Sequence, residues 1–185
     1  PGAGPRYPGG DAMSVTRPNL LFVDDDPIIL KTLRRTLSRQ SGKWNMVFVQ
    51  SVDEAMEALE RMPFDLILSD ARMPGRDGFD FLAETRRSEA FRRIPFIVFT
   101  GDEEPSLKRR ALDMGATDLL NKPSTREDLV ARIQSALRLK FYQDQQDRQM
   151  QILDERVRAR TAELEESQRE IIWRLAKASE YRDDA

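Results

Sequence analysis

The chain contains no cysteine and no histidine. Without cysteine there is no disulfide framework and no thiolate metal site. Without histidine there is no imidazole ligand, no histidine general base and no phosphohistidine among these residues. Long apolar runs are also missing. The longest, Leu20–Val23, Met46–Val49 and Phe96–Phe99, are four residues each, against the ~20 that span a bilayer. The N-terminus lacks the apolar core of a signal peptide. Neither sign of charge dominates, with 30 Lys and Arg against 32 Asp and Glu, so composition gives no argument for a nucleic-acid partner. The expectation is a soluble, cytoplasmic protein without a membrane or nucleic-acid partner in this chain. Any chemistry then falls to carboxylates, hydroxyls and amines.

Glycine and proline are distributed unevenly. Seven of the first ten residues are Pro or Gly, and none follows Pro123. Residues 1–18 therefore read as a disordered N-terminal arm or tag, with Met13 a candidate start. Between these extremes, short apolar runs alternate with helical patterns. Leu20–Val23, Met46–Val49, Leu66–Leu68, Phe96–Phe99 and Leu119-Leu120 read as buried strands. The first helix carries Ile28, Ile29, Leu30, Leu33 and Leu37 on one face and runs to about Gln40, with Pro27 in its first turn and an Asp before it as cap. Ser51 and Glu54 read as a capping box for the second helix. Asp77-Gly78 punctuates the loop before the third. A fourth helix spans Glu104–Met114, and Thr125 caps the last. Strands alternating with helices imply an α/β domain over residues 19–138, a doubly wound parallel sheet with helices on both faces.

From Leu139 to Ala185 the chain reads as one unbroken polar helix. Met150, Val157, Leu164, Ile171 and Ala178 recur every seven residues. Leu153 joins that seam, whereas Arg160, Ser167 and Arg174 interrupt it. A helix this polar is marginal alone, and a parallel homodimer through the seam is the expected support. Met150, Leu153, Val157, Leu164 and Ile171 are the expected contacts of a stalk about 60 Å long.

The strand ends carry the chemistry. The first ends in Asp24-Asp25, the third in Asp70, the fourth in Thr100 and the fifth in Lys122. Ligand sites of open α/β sheets lie at these carboxyl ends. Three carboxylates gathered there repel one another and call for a cation, and all-oxygen ligation suits Mg²⁺. A metal, a hydroxyl and an ammonium around one carboxylate equip it as a nucleophile toward a phosphoryl group. Taken singly, each residue has an ordinary structural use as a helix cap, a turn former or a solvated charge. Their order on successive strand ends favours function.

The motifs VDDDP, LILSDARMPGRDG, IVFTG and NKPS resemble those of the receiver domain of two-component response regulators in kind, order and spacing. The resemblance covers Asn19 to about Arg138. It implies a flavodoxin-like (βα)5 fold with strand order 2-1-3-4-5 and a histidine kinase as phosphodonor. It also implies that Asp70 is the phospho-acceptor, and that Asp25 and Asp70 ligate Mg²⁺ directly while Asp24 reaches it through water. Arg72 would offer a backbone carbonyl to the ion. Thr100 and Lys122 resemble the switch hydroxyl and the phosphate-binding lysine, and the Lys122-Pro123 bond is predicted cis. Arg72 and Asp102 occupy positions that border the path of the hydrolytic water in this family. The family usually has an aromatic residue three before the lysine, where this chain has Leu119. The switch is then expected to act through the loop after Thr100 and the last helix.

The stretch ERVRARTAELEESQREIIWRLAKASEYRDD resembles the linker between receivers and HD-GYP cyclic-di-GMP phosphodiesterase domains. The HD-GYP site itself needs histidines, which are absent here, so such an output is expected beyond Ala185. Two alternatives stay open at the level of sequence. Asp24-x-Asp26 after a strand also fits the haloacid-dehalogenase phosphohydrolase pattern, and a receiver without phosphorylation would serve as a dimerising adaptor.

Overall fold

The structure, a computed structural model, describes residues 17–101 and 105–183, with the side chains of residues 105 and 175–183 left out. The expected N-terminal arm falls almost wholly outside these residues. Strands β1 (Asn19–Val23), β2 (Asn45–Val49), β3 (Leu66–Asp70), β4 (Phe96–Thr100) and β5 (Asp118–Asn121) form one sheet in the order β2-β1-β3-β4-β5. All four pairings are parallel. This is the flavodoxin-like order that the resemblance to receiver domains implies. Helices α1 (Pro27–Thr36), α2 (Val52–Arg61), α3 (Gly78–Arg87), α4 (Pro105–Asp113) and α5 (Arg126–Asp183) follow the strands in turn.

Alternate strand residues face opposite sides, because successive side chains in a strand point to opposite faces. Leu20, Phe22, Leu66, Leu68, Ile97, Phe99 and Leu120 pack with Leu30, Leu33 and Leu37 of the α1 segment and with Leu129 and Ile133 of α5. Leu21, Val23, Ile67, Phe96, Val98 and Leu119 pack with α2, α3 and Ala111 of α4. Helices α1, α2, α3 and α5 start on side-chain caps, which satisfy amide groups that have no partner inside the helix. Asp26 Oδ1 accepts from the Ile28 amide at 2.7 Å. Thr125 Oγ1 accepts from the Asp128 amide at 3.1 Å.

Several local details differ from expectation. α1 ends at Thr36, and Ser38–Gln40 form a separate 3-10 turn. Ile28 is 71% exposed rather than on the buried face. At 3.6 residues per turn it lies on the side of the helix opposite Leu30 and Leu37, which face the core. Ser51 caps α2 as expected at 3.2 Å, but the Glu54 carboxylate accepts from the Gln50 amide at 2.9 Å and does not close the box on Ser51. The complete capping box lies at α3. There Asp77 accepts from the Phe79 and Asp80 amides and Asp80 accepts from the Asp77 amide. Asp77-Gly78 is therefore the start of a helix and not part of the loop.

The chain divides into two units, one ending at Lys140 and the other beginning at Phe141. In the second, the α5 residues Met150, Leu153, Val157, Leu164 and Ile171 are all exposed. Arg158–Asp154, Arg169–Glu165 and Arg174–Glu170 pair one turn apart at 2.9, 3.8 and 2.5 Å. No helix among the described residues is long and apolar enough to cross a membrane.

Phe81 is fully buried and meets the Phe96 ring edge-on, with centroids 5.4 Å apart. Phe81→Ala is expected to cost about 3–5 kcal/mol. Urea unfolding followed by the fluorescence of buried Trp44 measures it, and a loss below about 1 kcal/mol would contradict this packing.

Candidate functional site at the carboxyl edge of the sheet

Parallel pairing brings the ends of β1, β3, β4 and β5 to one edge. β1 pairs with β3 as far as Val23 opposite Ser69, and β3 with β4 as far as Asp70 opposite Phe99. Asp24 and Asp70 thus leave adjacent strands side by side. The Asp24 amide still bonds the Val49 carbonyl of β2 at 3.2 Å, which holds the turn against the sheet. β4 and β5 end together, with Thr100 opposite Asn121 and the Lys122 amide on the Thr100 carbonyl at 2.6 Å. That bond fixes where the Lys122 side chain sets out. The Lys122-Pro123 peptide is cis, as predicted.

Lys122 Nζ then reaches back across the edge. It donates to Asp24 Oδ2 at 2.6 Å and to Asp70 Oδ1 at 2.7 Å. It also lies 5.1 Å from the centre of the Phe99 ring, a cation–π contact on a buried face. Asp24 and Asp70 are buried, and Asp25 beside them is exposed. One carboxylate oxygen from each of Asp24, Asp25 and Asp70 can be chosen so that the three lie within 4.8 Å of one another. Asp70 Oδ2 accepts from the Arg72 amide at 3.3 Å, which turns one oxygen toward the loop and leaves Oδ1 to the lysine. Asp24 Oδ1 accepts from the Asp26 amide at 3.0 Å.

Burial pushes the Asp24 carboxyl above its ordinary 3.8, against the opposing pull of Lys122 and the Asp26 amide. Burial also works to lower Lys122, but its bonds to Asp24 and Asp70 outweigh that and hold the ammonium above its ordinary 10.5. At neutral pH the pocket therefore keeps its fixed cation. The remaining acidic oxygens, one set buried and one open to solvent, fit a small hard cation that keeps part of its water, as Mg²⁺ does.

Of the residues singled out from sequence, the fold gathers Asp24, Asp25, Asp70 and Lys122, with Arg72 adjoining and Thr100 tied to Lys122 through the backbone. Thr100 is buried. Leu119 is buried on the α2–α4 side, opposite Val98 in the ladder. Asp102 lies outside the described residues. The five expected seam residues are on α5, in the unit that begins at Phe141, and are not part of this pocket. Sequence reasoning missed Phe99 as the surface under Lys122. It also missed Gly78, which packs on the Asp70 backbone. Phe99 was visible only as one of four apolar residues in a strand, and Gly78 only as a turn signal.

Comparison with known proteins identifies the family. Residues 20–134 match the family described as response regulator receiver domain. A cyclic di-GMP phosphodiesterase response regulator of Xanthomonas campestris pv. campestris, RpfG, is 33% identical over 165 residues, or 89% of this chain and 44% of that protein. The chain thus spans less than half of that relative's length. The signal receiver domain of an HD domain-containing protein from Pseudomonas fluorescens is similar at 27% identity and a TM-score of 0.63, covering 69% of this chain and 99% of that one. The receiver domain of a sensor histidine kinase from Pseudomonas aeruginosa, solved with a magnesium ion in its active-site cleft, is similar at 28% identity and a TM-score of 0.59, covering 66% and 98%.

The raised Asp24 carboxyl has a consequence for stability. Its contribution is present below the ordinary 3.8 and is lost as pH rises through the higher folded value, since the folded state binds that proton more tightly. Lys122, also raised, keeps its contribution up to its ordinary 10.5 and loses it only above. In EDTA, Asp24→Asn is therefore expected to gain about 0.5–2 kcal/mol at neutral pH, with the gain fading as pH falls toward that of a free aspartate. Denaturant titrations at a series of pH values check this. A variant less stable than wild type at neutral pH would mean that the Lys122 pairing outweighs the burial.

Proposed function

This chain belongs to the response regulator receiver family, and on that footing we propose that it is a phospho-accepting signalling switch. Asp70 is the acceptor, and a cognate histidine kinase is the donor. An Asp70 oxygen attacks phosphorus, the bond to the donor imidazole nitrogen breaks, and its electron pair stays with the imidazole. No general base is required, because the attacking carboxylate is already ionised. Lys122 neutralises phosphoryl oxygens as charge gathers on them, and the Thr100 hydroxyl donates to another. Asp25 and Asp70 would hold Mg²⁺ directly, with Asp24 through water and the Arg72 carbonyl as a further ligand, and the ion would supply positive charge to offset that of the phosphoryl group. Arg72 and Asp102 modulate how long the phosphoryl group survives. The observation that carries the reading is the Lys122 ammonium spanning Asp24 and Asp70, with an Asp25 oxygen within 4.8 Å of an oxygen of each of those aspartates. It favours Asp70 over Asp24 as nucleophile, since Asp24 is the more deeply buried of the two.

The output we propose is a cyclic di-GMP phosphodiesterase of HD-GYP type, carried outside these residues. The support is that similarity to the Xanthomonas relative extends over 89% of the chain, beyond the receiver match. We also propose a cytoplasmic location and a parallel homodimer through α5. Exposed Met150, Leu153, Val157, Leu164 and Ile171 recur at coiled-coil spacing, and covering them is favourable. In this reading residues 19–138 are the receiver and residues 139–185 the stalk, and α5 conveys the state of the pocket.

Two experiments test these readings. Beryllofluoride with Mg²⁺, at ~100-fold over its dissociation constant, is expected to stabilise the wild type by about 2.7 kcal/mol and to leave Asp70→Asn unchanged. Equal stabilisation of both would remove Asp70 as acceptor. In light scattering, the intact chain is expected at dimer mass and Val157→Asp/Leu164→Asp at monomer mass. A double variant that stays dimeric would move the interface off the stalk.

A further inference from the structure

We infer that Gly78, together with Ser69, is a positioning residue for the Asp70 carboxylate. The inference rests on the reading of Asp70 as acceptor and metal ligand given above. A Cβ at Gly78 would lie 1.9 Å from the Asp70 carbonyl oxygen, 2.9 Å from its carbon and 3.1 Å from Ala71 Cα. All of these are backbone atoms, so no flexible side chain can yield. Glycine is not needed here for its conformational freedom, because only Gly75 and Gly115 have positive φ among the described residues. It is needed for close approach. The hydrogen it carries in place of a Cβ is directed at the Asp70 carbonyl, a weak Cα–H···O contact.

The contact sits at a point where the strand has lost its ladder on one side. β1 stops pairing at Ser69, so the Asp70 carbonyl is beyond the last β1 partner. It takes the Ser69 hydroxyl instead, at 3.0 Å. The Gly78 amide donates to the Ala71 carbonyl at 3.1 Å, and on the far side the Ala71 amide donates to Phe99 of β4 at 3.1 Å. The backbone that carries the acceptor is thus held by β4 on one flank, and by the first residue of α3 and the Ser69 hydroxyl on the other. An aspartate side chain has two rotatable bonds, so a displaced backbone displaces its carboxylate. Asp70 Oδ1 is 2.7 Å from Lys122 and Oδ2 is 3.3 Å from the Arg72 amide, and charge-assisted contacts of this length tolerate little displacement.

Helix propensity and close contact make opposite forecasts for Gly78→Ala. Propensity alone favours alanine in a helix, whereas the contact requires α3 or the strand end to move. The test is isothermal titration with MgCl2 of wild type, Gly78→Ala, Ser69→Ala and Gly42→Ala, with far-ultraviolet circular dichroism and thermal melts in EDTA on each. Gly42 has nothing within 4 Å of its Cβ position and serves as the control. Gly78→Ala is expected to stay folded and bind Mg²⁺ about 10–100-fold more weakly. Ser69→Ala is expected to lose affinity in the same direction, with Gly42→Ala like wild type. A folded Gly78→Ala with wild-type affinity would overturn the inference. Should Gly78→Ala not fold, an unchanged affinity in Ser69→Ala would overturn it as well. Wild type that binds neither Mg²⁺ nor beryllofluoride would defeat the reading of Asp70 itself, which separates that failure from a failure of the Gly78 contact.

Discussion

The contact between Lys122 Nζ and the carboxylates of Asp24 and Asp70, at 2.6 and 2.7 Å, is the constraint on which the rest of the site depends. Two buried carboxylates on adjacent strands repel each other, and a third stands beside them. Burying such charge without a partner costs several kcal/mol per ion. The lysine offsets part of that cost, yet it is one cation against three acids. The pocket is therefore built with a surplus of negative charge, a stability disadvantage that a binding site for a cation turns to use. Phe99 beneath the ammonium adds an apolar floor and a ring face, which keeps Lys122 aimed along the sheet edge instead of out to solvent.

Around that centre, the neighbouring elements act as supports. Asp24 is held by a bond to β2, Lys122 by a bond to Thr100, and Ala71 by bonds to β4 and to the first residue of α3. The β3–α3 loop is pinned further by Arg76, which pairs with Asp53 of α2 and Glu84 of α3. The side of the sheet that carries Leu119 has a different connection. Phe79, the residue after Gly78, is buried and lies under the Arg110 guanidinium of α4 at 4.4 Å. With Leu119 in place of an aromatic residue, this stacked pair is a direct packing contact between the α3 start that touches the Asp70 backbone and α4.

Much of this was legible in the sequence, for physical reasons that differ from residue to residue. The strands were legible because each is a short apolar run that ends abruptly at a polar residue, and Asp24, Asp70, Thr100 and Lys122 lie within two residues of the ends of four of these runs. Parallel pairing then determines that residues at strand ends meet. The caps at Asp26, Ser51 and Thr125 were legible because they precede apolar periodicity. Gly78 was misplaced because a glycine needed for close approach and a glycine in a turn look alike until the chain has folded. Ile28 was misplaced because it was grouped with neighbouring apolar residues, although helical spacing sets it opposite Leu30 and Leu37. The Glu54 carboxylate satisfies a neighbouring amide, a choice between adjacent donors that spacing does not resolve.

The central claim is that Asp70, among three clustered aspartates, takes the phosphoryl group. Reduction of the phosphorylated chain with borohydride converts an aspartyl phosphate to homoserine and marks the residue that carried it. Peptide mass mapping is expected to find that change at Asp70 and to find Asp24 and Asp25 intact. A homoserine at Asp24 or Asp25, or a labelled chain in which Asp70 is unmodified, would contradict the account.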